Sequence, residues 1–115
     1  MEKDILSVVT RRNHILDELI QINHLAIDEF RNLSKDDWSH FMLTRKYLIE
    51  SLTLLEDEII LLSMYDWSSF SFDPMYRSDY INLSEKKYYK ISVIIEQDKN
   101  LEHLQSDSNE KYNVA

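Results

Sequence analysis

Four histidines are the residues of this chain best suited to acid–base or metal chemistry, and each has a carboxylate about one helical turn away. The pairs are His14 with Glu18, His24 with Asp28, His40 with Asp36 or Asp37, and His103 with Asp107. Di-metal sites in helical bundles instead use inward-facing Glu-x-x-His pairs, and the sequence contains no such pair. None of the four histidines falls on the apolar stripe of its segment. We therefore expect surface histidines and no metal site.

Covalent catalysis and nucleotide binding lack their usual residues. The chain has no cysteine and no glycine, which excludes thiolate nucleophiles, disulfides and the glycine-dependent phosphate-binding loops. No serine follows the glycine-elbow pattern of hydrolases. The sequence thus predicts a protein that is not an enzyme and that uses no cofactor.

Three charged residues interrupt apolar stripes and so are candidates for ion pairs inside the fold. Arg45 and Asp98 lie at matching heights if their two segments pack as antiparallel helices, which predicts a pair that fixes register more than it adds stability. Arg12 and Glu56 each lie 22 residues from Ser34 and so reach the same height. Arg12 has a second interpretation, in which its stem covers apolar surface while the guanidinium reaches water.

Apolar residues recur at intervals of three and four over three segments, which indicates amphipathic helices. We expect helix one over about 4–32, helix two over about 35–63 and helix three over about 84–105, joined by a connection at 64–83 and followed by a polar tail at 106–115. A chain with no glycine and one proline has little to interrupt a helix. The predicted fold is all-α: an antiparallel helical hairpin plus a third helix, an up-down-up bundle in one domain of 1–115.

Helix two has the most regular pattern. A capping box of Ser34 and Asp37 marks its start. Steps of three and four alternate without a break along its seam, which is typical of a coiled coil. The seam consists of Trp38, Phe41, Arg45, Leu48, Leu52, Leu55, Ile59 and Leu62.

The connection at 64–83 is rich in aromatic residues, including Trp67 and Phe70. It is longer than an ordinary loop between bundle helices and has room for a short helix near Pro74–Tyr80. Two interpretations stay open. The rings form a cap that closes the open end of the hairpin, or they form a docking surface for a partner, because aromatic side chains supply much of the binding energy at interfaces.

Charge restricts the partners. The 115 residues carry 13 basic and 21 acidic side chains, a net charge of −8. Such a surface argues against nucleic acid and anionic membranes as ligands. The most apolar run, Ile59 to Leu62, is far too short to span a bilayer. We expect a cytoplasmic protein whose partner is another protein.

Two stretches resemble the small flagellar export chaperones of the FliT/FlgN type. The run from Leu33 to Phe41, followed by Arg45 to Leu52, is similar to their second helix, with an acidic-tryptophan start and an Arg-x-x-Leu-Ile-x-x-Leu run. The stretch from Ile94 to Leu104 is similar to their Asp-containing third helix. The aromatic connection is longer than in that family, and the extra C-terminal helix of some FliT proteins is missing. The resemblance covers about 80 residues.

The resemblance implies a non-catalytic chaperone that holds the amphipathic C-terminal helix of a hook-associated or filament-cap protein. We expect the client in an apolar groove lined by Phe41, Leu48, Leu52, Ile91 and Ile95. Two alternatives remain. The first is a small acidic inhibitor or immunity-type protein that binds a basic protein surface, with the aromatic patch as its contact. The second is a self-assembling helical oligomer such as a homodimer.

Overall fold

Three long helices make up almost all of the chain that can be described. The computed structural model describes residues 4–65 and 74–107, and no strand occurs within them. The helices are α1 (Ile5–Asp28), α2 (Lys35–Tyr65) and α3 (Pro74–Asp107), with a single 3₁₀ turn at Phe30–Asn32 between the first two. The all-α bundle predicted from the sequence is confirmed.

Helix α3 begins at Pro74, ten residues before the predicted start of helix three at Ser84, and the short helix predicted near Pro74–Tyr80 is its first part. Proline suits the first position of a helix, because its fixed φ matches the helix and its missing N–H would have no partner there. Most of the predicted connection is therefore helix. The rest of it, 66–73, lies outside the described residues together with Trp67 and Phe70, and so does 108–115 of the predicted tail.

Side-chain caps define the starts of α1 and α2. Asp4 Oδ1 accepts the backbone N–H of Ser7 at 2.8 Å. The Ser34–Asp37 capping box is present: Asp37 N–H donates to Ser34 Oγ at 3.0 Å, and Ser34 N–H donates to Asp37 Oδ2 at 3.1 Å. Hydrogen bonding with Ser34, first with its backbone and then with its side chain, lowers the pKa of Asp37.

Helix α1 is the centre of an elongated bundle of 57 × 24 × 17 Å. It packs along both α2 and α3, which approach each other less closely than either approaches α1. Three apolar clusters follow one another along this axis. Their buried members are, in order, Ile5, Val8, Val9, Leu55 and Ile59; Leu16, Leu19 and Ile94; and Ala26, Phe30, Trp38, Phe41 and Leu101.

Amide side chains on α1 make further contacts with α3. Asn23 is completely buried, and its Nδ2 donates to Gln97 Oε1 at 3.3 Å. Gln97 in turn donates to the carbonyl of Ile20 at 2.9 Å, and Asn13 donates to the carbonyl of Leu83 at 3.0 Å. Each bond crosses from α1 to α3, so together they fix the register between the two helices.

Candidate functional site

A groove runs between α2 and α3, with α1 as its floor. Its central cavity of about 450 Å³ has Leu16 and Leu19 of α1 at the bottom, Leu52 of α2 on one wall, and Ile91 and Ile94 of α3 on the other. The groove exists because α2 and α3 both pack on α1 and make fewer close contacts with each other. Its size lies in the range of pockets that hold ligand groups.

Two ion pairs connect the walls of the groove. Arg45 Nη2 donates to Asp98 Oδ1 at 2.5 Å, the pair expected from their matching heights, and Lys87 Nζ lies 3.2 Å from Glu56 Oε1. The pairs lie eleven residues apart on both helices. At 1.5 Å per residue they are about 16 Å apart, which is three helical turns.

Exposed apolar side chains border the groove between these ion pairs. Ile49 lies one turn from both Arg45 and Leu52, and Ile95 lies one turn from both Ile91 and Asp98, so each is on the groove side of its helix. The register set by the ion pairs brings Ile49 and Ile95 to nearly the same height. Both are substantially exposed, at 40% and 50%.

The border extends beyond this central pair of isoleucines. Tyr88 precedes Ile95 by two turns and is 69% exposed, and Met42 precedes Ile49 by two turns. Met42 also lines a second cavity of about 250 Å³ around the Arg45–Asp98 pair. The apolar surface therefore continues for about four turns, long enough for a helix to lie along it.

The predicted groove residues divide into three groups. Leu52 and Ile91 line the central cavity, and Ile95 lies at its border. Leu48 is half-buried against the central apolar cluster. The placement of Phe41 in this groove is wrong: Phe41 is buried in the cluster with Phe30 and Trp38, because its position on α2 faces α1.

Glu56 connects the groove to the buried centre of the bundle. Besides Lys87, it accepts a hydrogen bond from Arg12 Nη1 at 3.4 Å. The Arg12 side chain is only 3% exposed, and its guanidinium also donates to Asn13 Oδ1 through Nε and Nη2, both at 3.3 Å. Burial lowers the pKa of Arg12, and the carboxylate of Glu56 offsets part of this effect. The interpretation of Arg12 as a snorkelling side chain is therefore wrong.

Charge at the groove itself is close to balanced. Glu102 is exposed and lines the cavity around the Arg45–Asp98 pair. Glu56 and Asp98 are paired with Lys87 and Arg45 across the groove. The excess of acidic charge belongs to the chain as a whole, and its net charge of −8 favours a ligand with basic residues beside its apolar face.

A further apolar cavity of about 510 Å³ lies between the end of α1 and the start of α2. Its apolar lining includes Ile22, Leu25, Ala26, Leu33 and Phe41. The cavity lies at the hairpin turn, on a different side of α2 from the groove. Its walls are the end of α1 and the start of α2, and no described residue of α3 lines it.

The histidines lie on the surface, as the sequence suggested. All four are exposed, and His24 Nε2 lies 3.1 Å from Asp28 Oδ2. Within residues 4–65 and 74–107, no three His, Asp or Glu side chains come together as a set that could hold a metal ion. No helix in these two ranges has both the length and the apolarity needed to cross a bilayer.

Comparison with protein-family models, with curated proteins and with solved structures found no match to this chain. Function must therefore be inferred from the chain's own residues.

Sequence reasoning missed the floor and the border of the groove. Periodicity places Leu16 and Leu19 on the apolar face of helix one and Tyr88 on that of helix three, but it does not predict any of them, or Ile49, as part of the groove. The sequence contains a signal for Ile49. It is a large apolar residue one turn after Arg45, so the apolar face of helix two is wider at this point than the seam alone. No comparable signal exists for Leu16 and Leu19, whose position depends on how far α2 and α3 stand apart.

Proposed function

We propose that this protein is a non-catalytic binding protein that holds an amphipathic helix in the groove between α2 and α3. The observation that carries the proposal is the pair of facing isoleucines, Ile49 and Ile95, left exposed above an apolar floor. Large apolar side chains that line a concave surface are typical of helix-in-groove recognition.

The dimensions of the groove support a helical ligand over an extended one. The ion pairs define a window of about three turns. A helix in this window presents side chains at positions i, i+3, i+4 and i+7 to the floor. These anchors would pack on Leu52 and Ile91 and complete a four-helix arrangement of the kind found in bundle proteins.

The charge of the protein further restricts the class of helices that the groove would bind. Exposed Glu102, which lines the cavity around the Arg45–Asp98 pair, favours a helix with lysine or arginine next to its apolar face. The net charge of −8 would also speed the approach of a basic segment. Binding should therefore weaken as the salt concentration rises.

The FliT/FlgN resemblance suggests the natural ligand of the groove and the cellular role of the protein. The protein would act in the cytoplasm as a flagellar export chaperone and hold the C-terminal helix of a hook-associated or filament-cap protein. Covering the apolar face of that helix would prevent its aggregation before export. The groove supports this role because its walls include Leu52 and Ile91, two of the contacts predicted from the apolar faces of helices two and three.

A peptide-binding assay tests the groove directly. A fluorescent amphipathic peptide with leucines on one face and lysines beside them is titrated with the full chain, and its anisotropy is measured. Ile49→Glu and Ile95→Glu should each weaken binding at least about tenfold, because each puts a charge against the apolar ligand. A peptide with glutamates in place of the lysines should bind less tightly.

Leu54→Glu is the matched control, because Leu54 is an exposed apolar residue on another side of α2. It should leave peptide affinity unchanged. Unchanged binding by a folded Ile49→Glu/Ile95→Glu variant would refute the groove as the binding site.

The export role is tested with natural ligands. The affinities of C-terminal segments of hook-associated and filament-cap proteins are compared with that of the generic peptide, and the export role requires that at least one segment bind more tightly.

A further inference from the structure

A second apolar surface lies on α2, away from the groove. We call it the outer stripe, and it consists of Leu43, Tyr47, Leu54, Leu61 and Met64. Each of these side chains is more than half exposed, with Leu54 at 70%. Leu54 follows Arg45 by nine residues, which is two and a half turns, so it lies on the side of α2 opposite the Arg45–Asp98 pair.

The outer stripe repeats with the spacing of a coiled coil. Its members and the two carboxylates between them, Glu50 and Asp57, follow steps of four and three from 43 to 64. This is the same heptad spacing as the buried seam of α2. A helix with heptad spacing on an exposed face packs best against another helix with the same spacing.

The area of the outer stripe is large for a surface with no partner. Five large side chains, each more than half exposed, amount to roughly 500–600 Å², the upper limit of the apolar patches that monomers leave uncovered. A symmetric pair of such stripes would bury roughly 1,000–1,200 Å² in total, close to the lower limit for specific protein–protein interfaces.

Charge selects the orientation of the two helices. In a parallel pair, Glu50 would face Glu50 and Asp57 would face Asp57, with repulsion at both positions. An antiparallel pair with its two-fold axis near residue 52 avoids this direct opposition, because Glu50 then faces Leu54 of the second copy and Asp57 faces Tyr47. It places Leu43 against Leu61 of the second copy, and Lys46 opposite the turn that contains Asp57 of the second copy.

We propose that the protein forms an antiparallel homodimer through the outer stripe of α2. The occupant is a second copy of this chain, because a two-fold axis repeats the spacing of the stripe, buries an area close to that of a specific interface, and brings Lys46 beside Asp57 of the second copy. The groove between α2 and α3 lies on another side of α2 and stays open in the dimer. Each dimer can therefore hold two ligand helices.

Sedimentation velocity of the full chain over a range of concentrations tests the dimer. The wild type should sediment with twice the chain mass of 13.9 kDa. Leu54→Glu should raise the dimer dissociation constant at least about 100-fold, because the charge enters the interface twice. Leu61→Glu is a second variant at an exposed site and should have the same effect. Ile95→Glu, on the groove, is the matched control and should remain dimeric.

Cross-linking tests the orientation. The chain has no cysteine, so a single introduced cysteine reports on one position. Near the proposed axis, Thr53→Cys should be joined to its copy by a short bis-maleimide, whereas Leu43→Cys should not, since the two copies of residue 43 are about 27 Å apart along the helices. Cross-linking of both variants would overturn the antiparallel arrangement.

A wild type that stays monomeric at millimolar concentration would overturn the dimer altogether. So would a dimer that survives Leu54→Glu and is lost in Ile95→Glu. Peptide binding to the groove is measured separately, so failure of the dimer does not affect the proposed function.

Discussion

Neutralising Glu56 should destabilise the bundle more than neutralising any typical surface carboxylate. Glu56 is the anionic partner of Arg12, whose side chain is buried to 3% exposure in the centre of the fold. Glu56→Gln keeps the size of the side chain and an acceptor oxygen but removes the charge. The guanidinium of Arg12 would then remain buried without a counterion, which is costly in a protein interior.

The expected magnitude follows from the geometry. Two unit charges 3.4 Å apart attract by about 5 kcal/mol at an effective dielectric constant of 20. Glu56 is 35% exposed, so solvent screens part of this attraction, and the glutamine oxygen retains a hydrogen bond. We therefore expect the free energy of unfolding to fall by about 2 kcal/mol, which lowers Tm by roughly 8 °C for a domain of this size.

Urea and thermal unfolding, followed by circular dichroism, measure this change. Glu18→Gln, at an exposed carboxylate on α1, serves as the control and should change stability by less than about 0.5 kcal/mol. Arg12→Met combined with Glu56→Gln should cost less than the sum of the two single changes, because the double variant buries no unpaired charge. A Glu56→Gln protein as stable as the control would refute the reasoning.

The remaining predictions concern the polar contacts between helices and the start of α2. Asn23→Ala should lower the free energy of unfolding by about 1–3 kcal/mol, because the buried Gln97 oxygen loses its donor. Replacing Asn23 and Gln97 together by leucine should lower it by less, because no buried polar group is then left without a partner. Urea unfolding of the two variants measures both changes. Asp37→Asn should reduce stability at neutral pH. The pKa of Asp37 is lowered in the folded state. The wild type is therefore more stable than Asp37→Asn by the full amount above the unfolded pKa of about 4, and this advantage disappears as the pH falls through the folded pKa. Thermal melts of both proteins from pH 2 to pH 7 measure the advantage, and a Tm difference that does not change with pH would contradict the reasoning. Exchanging the charges by Arg45→Asp with Asp98→Arg should recover part of the stability that either single change removes, and equal losses in the double and single variants would argue against coupling across the groove.

The sequence alone was enough to predict the helical fold and several of its internal contacts. Helices satisfy their backbone hydrogen bonds locally, so periodicity and capping residues such as Ser34 and Asp37 mark them without knowledge of the rest of the chain. The Arg12–Glu56 pair could also be predicted, because two helices joined by a short turn have a register that can be counted from that turn. The same counting led to the Arg45–Asp98 pair.

The start of α3 could not be predicted from periodicity. The sequence pattern assigns Pro74 to the connection, with a short helix near Pro74–Tyr80 that is separate from helix three, because the apolar period of helix three is recognisable only from Ser84 onwards. The position of Pro74 at the first residue of α3 depends on where the chain returns to the bundle and packs Tyr76, Tyr80 and Leu83 against the Ile5 cluster.

Only the tertiary structure determines which residues line the groove. Phe41 and Leu52 belong to the same seam in the sequence, yet Phe41 is buried in the cluster with Trp38 and Leu52 lines the cavity. The period of a helix gives the angle of each side chain around the helix axis, but it does not show on which sides of that helix its neighbours lie. The central position of α1 sets that direction, and with it the distance between α2 and α3 that leaves Ile49 and Ile95 exposed.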